Sequence, residues 1–194
     1  MRRKLLAAII RLTPQPINTF TYAQAIHNNF KGTYKITLFH NKQLQRAFLE
    51  FANISTWNAP LAVTLTLRQG IYLPGCYTSL TETDAQQNLR HFLKVLNRKV
   101  YGNRVRHGHK LNCIPVIEGS KQTRLHYHLC LEQAPNMTFE EFAILVVETW
   151  RATTWGYRQV DIQPCDGGWL GYIAKLQTKP SYGDSIDWTN FYSR

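Results

Sequence analysis

Two histidines one residue apart, His126 and His128, are the residues of this 194-residue chain best placed to do chemistry. Leu125, Tyr127, Leu129 and Leu131 alternate with His126, His128, Cys130 and Glu132. A period of two predicts a β-strand with one apolar face and both imidazoles on the other. The preceding stretch from Ile114 to Glu118 predicts the partner strand of a hairpin, closed by the loop from Gly119 to Leu125. Setting Glu118 opposite His126 puts the carboxylate on the imidazole face, because directly opposed residues in an antiparallel ladder share a face with Cβ atoms about 5 Å apart. Two imidazoles and one carboxylate suit a catalytic divalent cation, since three protein ligands leave positions open for substrate oxygens and water.

A second candidate lies further along. In Trp-Leu-Gly-Tyr-Ile-Ala-Lys-Leu-Gln-Thr-Lys, residues 169–179, a helix running as far as Pro180 puts Tyr172, Lys175 and Lys179 on one face. A tyrosine hydroxyl can attack phosphorus and hold a broken strand as a covalent ester, which conserves the bond energy for resealing. A phenol is mostly protonated at neutral pH, so such a site must stabilise phenolate character or take the proton. A cation assists by polarising the phosphate, and Lys175, one turn from Tyr172, adds positive charge.

These groups must be positioned by a mixed set of elements. Leu61–Leu67 alternates Ala62, Thr64 and Thr66 against four apolar residues and predicts the first core strand. Residues 68–81, with Gly70, Pro74 and Gly75, predict a loop. An amphipathic helix is expected over Asp84–Tyr101, with Leu89, Phe92, Leu93 and Leu96 on one side and Arg90, Lys94, Arg98 and Lys99 on the other. Thr138 and Glu141 form a capping box for a helix from Phe139 to Thr153, and Tyr157–Gln163 alternates as another strand. The first 57 residues read as a basic extension, with helical spacing at Leu44, Phe48 and Phe51, ahead of a main domain over 58–194.

The charge balance points to an anionic partner. Lys+Arg number 23 against 12 Asp+Glu, a net charge of +11, and Glu118 is the only acid between Arg90 and Arg124. Nucleic acid is the commonest partner of such an excess. Arg68, Arg104, Arg106, Lys110, Lys121, Arg124 and Lys179 are the candidate phosphate contacts, with Trp155 and Trp169 available for base stacking. His107 and His109 repeat the H-x-H spacing, but their glycine spacer and flanking arginines predict a basic loop in place of a metal-bearing strand. No apolar run approaches the roughly 20 residues needed to cross a bilayer. The N-terminal apolar run stops at Arg11 with no cleavage site after it, and the four cysteines form no C-x-x-C pair, so a cytoplasmic protein with reduced thiols is expected.

The order of these motifs resembles the HUH endonuclease superfamily, specifically the rolling-circle replication initiators and nickases of plasmids and phages. The residues that carry it are His126-Tyr127-His128, then Tyr172-Ile173-Ala174-Lys175, with Val160-Asp161-Ile162 and, more weakly, Leu65-Thr66-Leu67-Arg68. It spans about residues 60–180. It implies an α+β fold whose central, mostly antiparallel sheet is covered by helices. It also implies His126, His128 and Glu118 as ligands of Mg²⁺ or Mn²⁺, with Asp161 and Gln163 as alternatives for the third. Tyr172 becomes the nucleophile and Lys175 its electrostatic helper. Positions 168, 169, 175 and 176 hold no second tyrosine, as in a one-tyrosine enzyme. The implied activity is site-specific nicking of single-stranded or extruded DNA, by a monomer or weak oligomer that relies on a separate helicase and replication machinery. A single-strand transposase, a non-catalytic origin-binding module and an RNA-binding surface are the competing readings.

Overall fold

The computed structural model describes residues 42–43, 45–52, 54–119, 123–166, 168–174 and 185–193. Lys121, Lys175, Lys179 and most of the basic N-terminal segment lie outside the described residues. The chain divides into two units, Met1–Phe51 and Ala52–Arg194. In the first unit the described residues 42–43 and 45–51 are helical, as the spacing of Phe48 and Phe51 predicts.

The second unit is α+β, a four-stranded antiparallel sheet flanked by helices. Its strands are β1 (Pro60–Leu67), β4 (Cys113–Glu118), β5 (His126–Glu132) and β6 (Gly156–Pro164), in the order β4-β5-β1-β6. Alternation in β1 and β5 gives the sheet two unlike faces. Leu61, Val63, Leu65 and Leu67 join Tyr127, Leu129 and Leu131 on one, all fully buried or nearly so. Helices α1 (Glu82–Tyr101) and α2 (Phe139–Arg151) contribute Leu89, Phe92, Leu96, Phe142, Val146 and Trp150 to that core. The rings of Phe92 and Trp150 meet edge to face, and the Trp150 indole donates to the Thr66 carbonyl. Both helices begin in capping boxes, at Thr81/Asp84 and Thr138/Glu141.

The edge strand β4 is buried along its whole length, because residues from the C-terminal segment bridge to it at Cys113–Tyr192 and Val116–Ile186. That segment also brings Asp187 beneath the sheet, where its carboxylate accepts from the Tyr127 hydroxyl at 3.1 Å and from Asn190. Burial pushes the Asp187 carboxyl above its ordinary value, and pushes the Tyr127 phenol up as well.

Two expectations need correction. Residues 68–81 are not a plain loop: β2 (Gly70–Leu73) and β3 (Cys76–Ser79) form a second, two-stranded sheet. Pro74-Gly75 is its two-residue turn, and Gly75 at φ 87° takes the left-handed position that such a turn requires. The helix expected to reach Thr153 stops at Arg151. The Thr153 hydroxyl donates to the Trp150 carbonyl at 2.7 Å and accepts from Gly156 N–H, turning the chain into β6. A Cβ on Gly156 would collide with that same carbonyl, so the turn needs glycine.

Candidate active site

The hairpin register is the expected one: Glu118 pairs with His126, and Val116 with His128. Beyond β5 the next strand places Thr66 opposite His126 and Thr64 opposite His128. Gly119 closes the hairpin at φ 112°, where an added Cβ would meet the Arg124 carbonyl at 2.7 Å. That carbonyl accepts from Nδ1 of His126 at 2.9 Å. Since a carbonyl can only accept, Nδ1 carries the hydrogen and Nε2 keeps its lone pair. On His128, Nδ1 is 3.0 Å from the Thr64 hydroxyl, which can accept its hydrogen and free Nε2 in the same way.

Both free nitrogens aim at one place. The two Nε2 atoms are 3.2 Å apart, and Glu118 Oε2 lies 3.6 Å from that of His128 and 3.9 Å from that of His126. Metal–ligand bonds of about 2.0–2.2 Å at octahedral to tetrahedral angles put adjacent donors about 2.8–3.6 Å apart. Two of the three separations fall in that range and the third just beyond it. Glu118 Oε1 is buried with no hydrogen-bond partner among the described residues, an arrangement that is costly unless positive charge is near. A proton shared by the imidazoles would leave that oxygen orphaned. A cation among the three donors offsets both problems, and Glu118, His126 and His128 thus form a group that could bind a metal ion.

Asp161 and Gln163 stand elsewhere. Asp161 pairs with Thr64, so β1 separates it from His128, and Gln163 donates to Asp161 instead of turning to the histidines. The sheet order that decides this has no signature in local sequence.

Tyr172 sits on the same open face. Helix α3 (Trp169–Ile173) packs against β5, started by Asp166, whose carboxylate accepts from Gly168 N–H and Trp169 N–H. The Trp169 indole donates to the Leu129 carbonyl at 3.0 Å and stacks on the Tyr172 ring at 5.4 Å. Tyr172 then lies edge to face with His128, ring centroids 5.7 Å apart, while 41% exposed. The helix ends at Ile173, short of Pro180, with Ala174 already in a turn. Trp169, a stacking candidate by sequence, is therefore already stacked on the tyrosine. Trp155 is core, 8% exposed, and unavailable to bases.

The basic residues separate into two groups. Arg68 and Arg124 are at the histidine end of the sheet: Arg68 follows the last residue of β1 and bonds Trp155, and Arg124 precedes His126. Arg124 and Arg158 both approach the Tyr157 ring, at 5.0 and 5.8 Å. A hydrogen bond with Arg124 and the charge of Arg158 hold the Tyr157 phenol below its ordinary value. Arg104, Arg106 and Lys110 are exposed before the start of β4, with Lys110 over Tyr192 beside Cys113. Cys113 and Glu118 are opposite ends of β4, about 17 Å apart at about 3.3 Å per residue. Thr64, Trp169 and Arg158 were not marked by the sequence as parts of the site's framework; Thr64 was recognisable only as an outward residue of β1.

The family model described as the replication-associated protein ORF2 family matches residues 60–181, more than half of the chain. The chain belongs to that family, whose description ties it to replication and so to DNA. No curated protein and no solved structure matches it. No helix among the described residues is long and apolar enough to cross a membrane.

Proposed function

We propose that the protein is an HUH-type, metal-dependent nickase of rolling-circle replication. It cuts single-stranded or extruded DNA at a defined site and holds the cut strand on Tyr172. The observation that carries this reading is Tyr172 on the open sheet face, 5.7 Å from His128 and beside the three-donor group. Membership of a replication-associated family supports the DNA substrate.

In this reading Glu118, His126 and His128 hold Mg²⁺ or Mn²⁺. The bound cation would withdraw charge from the scissile phosphate. Tyr172 Oη attacks phosphorus, its O–H bond breaks, and the phosphorus–O3′ bond opens. The phenolic proton goes to solvent, which reaches the exposed ring, and the departing 3′ oxygen takes up one proton. The products are a 5′-phosphotyrosine and a free 3′ hydroxyl that a polymerase can extend. Trp169 fixes the plane of the Tyr172 ring, and Lys175 supplies positive charge to the same step. Arg68 and Arg124 meet the phosphates beside the cut, and Arg104, Arg106, Lys110, Lys121 and Lys179 hold more distant ones. A separate helicase unwinds the duplex.

Incubation with single-stranded candidate replicon DNA and Mn²⁺, followed by peptide mapping of the DNA-linked protein, tests the reading. A 5′ adduct on Tyr172, absent with excess chelator and absent from Tyr172→Phe, is the expected result. An adduct on another residue, a 3′ linkage, or full nicking in chelator overturns it.

A further inference from the structure

The β2–β3 hairpin, Gly70-Ile-Tyr-Leu-Pro-Gly-Cys-Tyr-Thr-Ser79, carries the two most exposed aromatic rings among the described residues. Tyr72 is 86% exposed and Tyr77 57%. They pair directly across the ladder, so they share a face, and Ile71 on the opposite face packs against the core. The outward face is built for its rings. A Cβ on Gly70 would overlap the Tyr77 hydroxyl oxygen, so the ring lies across the bare glycine backbone. Tyr72 meets it edge to face at 5.1 Å. Two large apolar rings held open to solvent on a small, fixed sheet need a partner that an ordinary surface does not.

The position of the hairpin says which partner. Gln69, at its root, donates to the Leu125 carbonyl and accepts from Leu125 N–H. The hairpin therefore springs from the chain next to Arg124, two residues from His126, with Arg68 beside it. No acidic residue stands between Glu50 and Glu82, so the arm itself carries nothing that repels phosphate. Aromatic faces above a basic root match a single strand of nucleic acid, whose bases offer π-faces on an anionic backbone.

We infer that this hairpin is a base-stacking arm: Tyr72 and Tyr77 hold unpaired bases of the DNA strand whose phosphates meet Arg68 and Arg124 at its root. The choice of DNA rests on the function proposed above, and the test is arranged to be independent of cleavage. Every protein tested is the full chain carrying Tyr172→Phe, so that a strand is bound and never cut. The probes are a dT oligonucleotide of about 16 nucleotides and an abasic deoxyribose-phosphate strand of the same length.

The parent should bind dT more tightly than the abasic strand. Adding Tyr72→Ala and Tyr77→Ala should weaken dT binding by about tenfold or more, the loss expected of one or two stacked bases. Affinity for the abasic strand should hold, which also reports an intact fold. Replacing both tyrosines by phenylalanine should preserve dT binding, because stacking uses the ring and not the hydroxyl. Undiminished dT binding by the alanine variant, an equal loss on both probes, or a loss in the phenylalanine variant overturns the inference. Failure of Tyr172 to form an adduct would instead bear on the nuclease reading and leave this result standing.

Discussion

Strand β5 presents two surfaces made from alternate residues of one heptapeptide. Tyr127, Leu129 and Leu131 point into a dry core under α1 and α2, whereas His126 and His128 point to an open face that only short α3 partly covers. On the core side each contact is apolar and interchangeable in kind, so loss of one is felt as loss of stability. On the open side the groups are polar, directed by Thr64 and the Arg124 carbonyl, and one buried carboxylate oxygen has no donor among the described residues. A strand that shows period two thus separates folding from chemistry at single-residue resolution.

The sharpest way to break this division is to truncate neighbours on β5. His128→Ala should reduce adduct formation by at least about two orders of magnitude while the urea midpoint stays near that of the parent. Leu129→Ala should do the reverse, costing about 2–5 kcal/mol of stability with activity kept per folded molecule. Equal effects of the two on adduct yield would show that the faces are not separable. Glu118→Ala belongs with His128→Ala, and a mild phenotype would return Asp161 to consideration as ligand.

Gly119→Ala should damage both properties at once. The added Cβ meets the carbonyl that orients His126, in a backbone conformation that side chains rarely adopt. A stability loss of about 1–3 kcal/mol is expected, together with lower activity at saturating metal; unchanged His126 function would mean that the carbonyl contact does not matter.

A smaller, electrostatic comparison contrasts the two ends of the sheet. Neutralising Arg68, Arg124 and Arg158 should lower the log-log salt slope of DNA binding by about one unit per lost phosphate contact and also slow cleavage below saturation. The triple variant at Arg104, Arg106 and Lys110 should flatten the slope with cleavage at saturation intact. If only the second set changes cleavage, the strand runs along the other end.

The smallest effect concerns Asp187 on the core side. Its carboxyl is held above the ordinary value chiefly by burial, so the folded protein keeps this proton to higher pH than the unfolded chain does. Its contribution to stability is complete below the unfolded value of about 3.9 and is lost as pH rises through the raised folded value. Urea titrations at stepped pH should show that decline in the parent and its removal in Asp187→Asn.

Much of the local structure was legible because it depends on neighbours in the chain. Both capping boxes, the hydrophobic side of α1 and the strand character of Tyr157–Gln163 follow from short-range periodicity. The β2–β3 hairpin was not legible although Pro74-Gly75 marks its turn, because its four-residue strands show too little alternation to register as a pattern. Trp155 and Trp169 are the same residue type in similar sequence surroundings, yet one is core and the other stacks on Tyr172. Nothing local distinguishes them.

From sequence alone came the shared face of His126, His128 and Glu118, since strand period and hairpin register are local geometry. Only the tertiary structure could decide what adjoins that face. Placing β1 between β5 and β6 brings Thr64 to His128 and holds Asp161 a strand further away. Folding α3 back onto β5 sets Tyr172 beside His128, and chain reversals bring the Cys130 and Cys165 sulfurs, 35 residues apart, to 3.9 Å. These are long-range packing choices, fixed by which apolar faces must be buried together, and no short window of residues encodes them.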